Sequence, residues 1–308
     1  MHARDFLAQS ERPLIVVLGP TASGKTAFSI SLASSLQDAG RSGEIVNADS
    51  RQLYRKLDIG TAKVTPEERK DVPHHLLDIL DPREEATAGW YREQAEQAIM
   101  DVRRRGNVPL LVGGSMLYLS TIIDDLTMAP PSDSALRAAL NAEYDKDGGA
   151  ALYARLADID PESAATIDIR NKPYVVRAVE IHELLQSPKS SAVPRSELRA
   201  GTAIPAKHDL LIFGVSRSRE ELDERINARC EAMFDAGWVA EVRDLLAQGY
   251  GPNDPGMKSH GYRDIIRFLE EQIPFTERAL MERIATKTRQ YAKKQMAWWK
   301  NDARIVWL

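Results

Sequence analysis

Residues 19–26, "GPTASGKT", place two glycines, a lysine and a threonine at the spacing G-x-x-x-x-G-K-[ST]. In such a loop the glycines let backbone N–H groups turn inward. The start of the following helix adds partial positive charge, and the lysine adds a full one. Gly19, Pro20, Thr21, Ala22, Ser23, Gly24, Lys25 and Thr26 would then cradle a diphosphate, with the Thr26 hydroxyl on a Mg²⁺ ion beside it. A chance glycine turn before a helix is the plain alternative. The β-branched run "PLIVVL" ahead of the loop and the amphipathic "KTAFSISL" behind it favour the phosphate loop, a type common in nucleotide-binding and ATP-binding proteins.

Phosphate chemistry with a metal also wants a carboxylate at the end of a neighbouring strand. "VPLLVGG" ends in Gly113-Gly114 and "HDLLIFGVS" in Val215-Ser216, whereas "EIVNADSRQLY" delivers Asp49, followed by Ser50, Arg51 and Gln52. In open parallel sheets the carboxyl ends of the strands line the ligand crevice, which would turn Asp49 toward the phosphate site. Asp49 could instead cap a following helix.

The elements that must position these residues alternate between strand and helix patterns, which predicts an α/β fold with a mostly parallel sheet. Strands are expected at "LIVVLG", "GEIVNAD", "VPLLVGG", "HDLLIFGVS" and, as a possible edge, "ARIVWL". Helices are expected at "KTAFSISLASSL", "GWYREQAEQAIMDVRRRG" and "SMLYLSTIIDDL". Between "APPSDSALRAAL" and "SAVPRSELRAG" the strand signals vanish, leaving "SALRAALNAEYDKDG", "GAALYARLADID" and "KPYVVRAVEIHELLQ" as helical patterns separated by Asp, Pro and Gly. Long structureless loops are rare, so an all-helical insertion is expected at residues 128–199 of a core built from 1–127 and 200–308.

The chain of 308 residues can bury a sizeable core. A formal net charge of −4 argues against a wholesale nucleic-acid coat but not against a local basic site. The single cysteine, Cys230, excludes a disulfide and a cysteine-cluster zinc site. No apolar run approaches the ~18 residues of a membrane span, and "MHARDFLAQSERP" is too polar for a signal peptide. A cytoplasmic protein without membrane contact is expected.

Taken together, "GPTASGKT", "NADSRQLYRKLDIGTAK", "PHHLLDILDP", "PLLVGGSMLYL", "LDERINARCEAMFDAGWVAEV", "GYRDI" and "TRQYAKKQMAWW" resemble the bacterial tRNA dimethylallyltransferases, the adenine-37 isopentenyltransferases of the P-loop superfamily. The blocks run in that family's order over nearly the whole chain. The resemblance implies a P-loop NTPase-like core with an insertion that grips the tRNA anticodon stem-loop. It also implies that the phosphates belong to dimethylallyl diphosphate and depart as a leaving group when the prenyl group moves to adenosine N6. Asp49 is then the candidate general base, because the delocalised N6 lone pair needs an acceptor for its proton. Lys25, the loop amides and Mg²⁺ would neutralise the departing diphosphate. By resemblance Arg225, in "LDERINAR", adds a further contact there; a surface pair with Glu221, four residues before it, is the alternative.

On the tRNA side the resemblance brings in Asp49, Ser50, Arg51, Gln52 and Ser115, where Ser115 stands at a position usually held by Thr and could equally be a helix N-cap. It also brings in Arg137 and Arg177 of the insertion, with Pro173 and Tyr174 as departures from the usual pattern nearby. Gly261, Tyr262 and Arg263 of "GYRD" are carried over as tRNA-facing, as are Lys287, Arg289, Tyr291 and Lys294 in the last helix. There Arg283, Lys287, Tyr291, Lys294 and Trp298 fall on one basic, aromatic face, opposite Ile284, Thr288, Ala292 and Met296 as the core side. Without the resemblance, Tyr291 and Trp298 would read as anchors into the core. A monomer needing no obligate protein partner is expected.

Three rivals remain open. A small-molecule P-loop kinase would need a strand-end acid elsewhere and an arginine-rich lid. An adenylate isopentenyltransferase would need neither the helical insertion nor the basic helix. An RNA-binding module with a decayed loop would not keep Gly19, Gly24, Lys25, Thr26 and Asp49 together.

Overall fold

The computed structural model describes residues 3–37, 40–126, 129–130, 132–186, 207–272 and 276–308. The chain divides into two compact units, Met1–Asp125 with Ala206–Leu308, and Leu126–Pro205. "SAVPRSELRAG", taken as the end of the insertion, lies outside the described residues.

In the first unit the strands are β1 Pro13–Leu18, β2 Gly43–Asn47, β3 His74–His75, β4 Val108–Val112, β5 Asp209–Gly214 and β6 Ile305–Trp307. They form one sheet in the order β3-β2-β4-β1-β5-β6, and every pairing is parallel. A parallel sheet is covered on both faces, so its strands read as continuous apolar runs. β1 illustrates this: Leu14, Val16 and Leu18 join the core that holds Tyr91 and Ile99, while Ile15 and Val17 join the opposite core with Ile30 and Leu36. The two-residue β3 escapes sequence reading because "PHHLLDILDP" has no β-branched run; it is defined by pairing Ile45 with His74 and Val46 with His75.

Glu44, 3% exposed at the start of β2, is held by Arg105, Asn107 and His75, each within 2.6 Å of its carboxylate. Burial works against the charged form, but the hydrogen bonds from Arg105, Asn107 and His75 outweigh it and hold the carboxyl at about 2. A depressed carboxylate contributes stability above its unfolded pKa and loses it as pH falls through the folded one. Glu44→Gln is therefore expected to cost about 1–3 kcal/mol at pH 7 and to flatten the acid dependence of Tm between pH 4.5 and 2, checked by thermal melts over that range.

The second unit packs helices Ser134–Asp147, Ala150–Ile159, Pro161–Thr166 and Lys172–Gln186 around Leu140, Tyr144, Leu152, Leu156, Val175 and Val179. Asp133 caps the first of them by accepting from the Leu136 N–H, and Gly148 ends it in the left-handed region at φ 70°. Pro161–Thr166 carries no periodic signal of its own; Asp160 caps it and Pro161 starts it.

Candidate functional site

β1 runs straight into the phosphate loop, and the loop into helix Lys25–Gln37. Gly19 lies at φ 145°, and a Cβ there would stand 2.2 Å from the Val215 carbonyl oxygen, so no other residue fits where the loop after β1 passes the end of β5. The Lys25 ammonium donates to the Pro20 carbonyl at 2.6 Å. Enclosure by the protein lowers its pKa to about 8, opposed by Asp49 and reinforced by Arg229.

The turn after β2 carries Asp49. No helix follows it; residues 50–53 and 55–56 form turns on either side of a bridge from Tyr54 to Leu80, so helix capping is not its task. Its Oδ1 accepts from the Arg51 N–H at 2.9 Å, and its own N–H donates to Asn47 Oδ1 at 3.1 Å. Ser115 stands at the N-cap of helix Met116–Ile123 but makes no side-chain cap. Its hydroxyl accepts from the Ser50 N–H at 2.9 Å instead, tying the end of β4 to that of β2. Gln52 donates to the carbonyls of Thr61 and Ala62, both at 3.1 Å.

These residues border two cavities. A small one of about 110 Å³ is lined by Lys25, Thr26, Asp49 and Gln52 together with the apolar Ile45, Val64 and Leu77. A larger one of about 360 Å³ is lined by Asp49, Ser50, Arg51, Gly60, Thr61, Ser115 and Trp238. Thr21, Asp49, Arg229 and Tyr291 border both. Asp49 thus faces the phosphate loop on one side and an adjoining, roomier space on the other.

Two contributors escape sequence reading. Arg229 follows Arg225 by four residues on helix Arg219–Asp235 and lines both cavities, where burial lowers its pKa against the opposing charge of Asp49. The i,i+4 spacing in "RINAR" was the available signal. Arg225 itself lines neither cavity; its Nε donates to the Ala22 carbonyl at 2.7 Å and braces the crest of the loop. Gln295, 2% exposed, accepts from the Thr21 N–H and donates to the Gly114 carbonyl, each at 2.8 Å. A polar residue in a buried stripe gives no such signal.

The last helix, Glu277–Trp299, corrects two expectations. Its buried stripe runs through Leu280, Ile284, Ala292, Gln295 and Trp299, while Thr288 and Met296 are only half-buried. Repeated steps of four drift off one face: Met296, twelve residues beyond Ile284, lies about 120° around the helix. Tyr291 and Trp298 are exposed, as the expected basic, aromatic face requires, but Lys287 and Arg283 of that face pair with the buried Asp264. Arg289 binds Asn227, and Lys294 is exposed.

The "GYRD" block also departs from expectation. Tyr262 is 0% exposed and Gly261 is buried, so neither presents a surface to a polymer; Arg263 is exposed. In the second unit, Arg137 and Arg177 both bind the fully buried Glu180, at 2.6 and 2.7 Å, alongside the Ser132 hydroxyl at 2.6 Å. A buried carboxylate must be paired, and two arginines on one glutamate leave a net positive charge at that spot. Tyr174, one of the two departures near Arg177, is exposed, at 61%.

No group of three or more His, Cys, Asp or Glu side chains able to hold a metal occurs among the described residues. Mg²⁺, however, keeps several waters and needs only one or two protein carboxylates when a substrate supplies phosphate oxygens. Thr26 and Asp49 on one cavity fit that requirement. No helix among the described residues is long and apolar enough to cross a membrane.

The IPP transferase family profile matches residues 52–302. A tRNA dimethylallyltransferase of Kineococcus radiotolerans is 43% identical over 308 residues, spanning 98% of this chain and 92% of the relative. One from Thermobifida fusca is 41% identical over 295 residues, spanning 96% of this chain and 89% of the relative. Among solved structures, the full-length tRNA isopentenylpyrophosphate transferase of Bacillus halodurans superposes with a TM-score of 0.68 at 32% identity, covering 97% of this chain and 90% of that one. A eukaryotic dimethylallyltransferase acting on tRNA superposes with a TM-score of 0.77 at 25% identity, covering 96% and 74%.

Proposed function

The chain belongs to the IPP transferase family and is a tRNA-prenylating enzyme, and we propose that it moves a dimethylallyl group from dimethylallyl diphosphate to N6 of adenosine 37, releasing diphosphate. The observation that carries this reading is that Asp49 borders both cavities. Dimethylallyl diphosphate sits with its phosphates on the loop in the smaller cavity, and the adenine enters the larger one. The purine must leave the anticodon stack to do so, which costs least on an already loosened loop.

In the transfer, the N6 lone pair forms a bond to the allylic carbon as the carbon–oxygen bond to diphosphate breaks, and Asp49 takes the N6 proton. Lys25, the loop N–H groups and Arg229 meet the charge that grows on the diphosphate, while Arg225 steadies the loop crest through Ala22 and adds its positive charge from outside. Thr26, with Asp49 nearby, would hold a Mg²⁺ ion, which would supply further neutralisation of the leaving group. Arg51, Ser50 and Ser115 line the acceptor side, and Arg263, Tyr291 and Lys294 offer exposed charge and an aromatic face to an RNA loop. The helical second unit, with Arg137 and Arg177, supplies a further hold on the anticodon stem-loop. We read the enzyme as cytoplasmic, monomeric and in need of no protein partner.

The test is to incubate the protein with labelled dimethylallyl diphosphate, ATP, AMP and unmodified tRNA. Label is expected in tRNA alone; label in AMP, or ATP hydrolysis, overturns the reading. Because phosphate contacts release counterions, raising salt from 50 to 200 mM should weaken tRNA binding by at least about tenfold while barely changing the affinity for dimethylallyl diphosphate, measured by filter binding and calorimetry.

A further inference from the structure

We infer that Glu241, supported by Tyr262, is a positioning residue that holds the wall shared by the donor and acceptor cavities and so keeps water from the allylic carbon. This rests on the assignment of the two cavities above. Glu241 lies on helix Trp238–Ala247 and reaches back 181–183 residues along the chain to gather three consecutive backbone donors. Its Oε2 accepts from the N–H groups of Asp58 and Ile59 at 2.9 and 2.8 Å, and its Oε1 from Gly60 at 3.4 Å. The buried Tyr262 hydroxyl donates a fourth bond to Oε1 at 2.6 Å.

The turn so held is not a peripheral one. Gly60 and Thr61 line the larger cavity, and Ala62 and Val64 line the smaller. Gln52, on the Asp49 turn, binds the Thr61 and Ala62 carbonyls. Lys63 closes the other end, donating to the Tyr54 carbonyl at 2.7 Å and pairing with Asp58 at 2.6 Å and with Asp78. Beside the turn lies the indole of Trp238, 1% exposed, pressed between two glycines. A Cβ at Gly60 would stand 2.0 Å from Trp238 Nε1, and one at Gly261 would stand 2.1 Å from the far edge of its six-membered ring. Both glycines are thereby required by one side chain, and the "GYRD" block finds its task here: Gly261 admits the indole and Tyr262 steadies Glu241.

Glu241 touches neither cavity, so it acts only through the turn. A carboxylate accepts from all four donors, whereas a glutamine amide has one acceptor oxygen and sets its own N–H groups against theirs. Loosening the wall has a specific chemical consequence. Water replaces adenine N6 as the nucleophile: its oxygen bonds to the allylic carbon, the carbon–oxygen bond to diphosphate breaks, and a proton is released, giving dimethylallyl alcohol and diphosphate. Exclusion of water is what suppresses this side reaction.

The experiment measures the partition between prenylated tRNA and dimethylallyl alcohol with labelled dimethylallyl diphosphate and saturating tRNA. That ratio is independent of how much of a preparation is folded. Glu241→Gln is expected to raise the alcohol share about tenfold and to lower kcat on tRNA by up to about 10²-fold, with the Kd for dimethylallyl diphosphate within twofold of the parent. Tyr262→Phe should move the ratio the same way by a smaller factor, and Glu241→Asp should restore part of it. An unchanged ratio in both Glu241→Gln and Tyr262→Phe, with activity falling only in step with the folded fraction, overturns the inference. Failure of the parent enzyme to prenylate tRNA would instead sink the functional reading on which it rests.

Discussion

Asp49→Asn is expected to lower transfer to tRNA by about 10²–10⁴-fold, the usual contribution of a positioned general base, while donor binding stays near its parental value. Asparagine keeps the Oδ1 that accepts from the Arg51 N–H, so the turn after β2 keeps its shape and the loss isolates proton acceptance. A second effect must be controlled. The Asp49 charge supports the protonated form of Lys25, and its removal drives the Lys25 pKa further down from about 8. Donor affinity is therefore to be measured by calorimetry near pH 6.5, with single-turnover transfer alongside. Retained transfer at parental rate, or lost donor affinity at that pH with turnover preserved, would remove Asp49 from its role.

Lys25→Met is expected to weaken both donor binding and transfer, with kcat/KM for dimethylallyl diphosphate falling by about 10²–10³-fold, the scale seen when one preorganised charge-stabilising donor is removed. The parent enzyme carries an internal control. Lys25 titrates at about 8 rather than 10.5, so the cation that meets the diphosphate is lost as pH rises through 8. Stability moves the other way: between pH 8 and 10.5 the unfolded chain binds more protons at this lysine than the folded one, so this group favours folding increasingly as pH rises. Donor Kd should therefore worsen from pH 7 to 9 in the parent, with no matching loss of Tm from this residue. In Lys25→Met the donor Kd should be flat over the same range. A parental pH dependence retained in the variant would assign the titration to another group.

The loop and the strand-end carboxylate that the structure brings to one cavity were legible in residues 19–26 and 43–52 because they are local: glycine geometry, a helix start and a strand end lie within a few residues of one another. The strand and helix alternation and the helical insertion were legible for the same reason, since periodicity is a short-range property of the chain. The sheet order was not, because β3 is defined by pairing Ile45 with His74 and has no propensity of its own.

What only the tertiary structure decided is which charged side chain meets which partner. Arg137 and Arg177 look like free cations in sequence, yet a buried carboxylate at Glu180 takes both. Lys287 looks like part of a basic face, yet Asp264 lies beneath it. Tyr262 sits in a block that reads as exposed, yet it is enclosed and bonded to Glu241. Arg229, Gln295 and Glu241 reach the loop and its neighbouring turn from more than 180 residues away. Helical spacing tells which face a residue occupies but not what that face lies against; burial then imposes the pairing, because a charge removed from water must find its counterpart wherever the fold brings one.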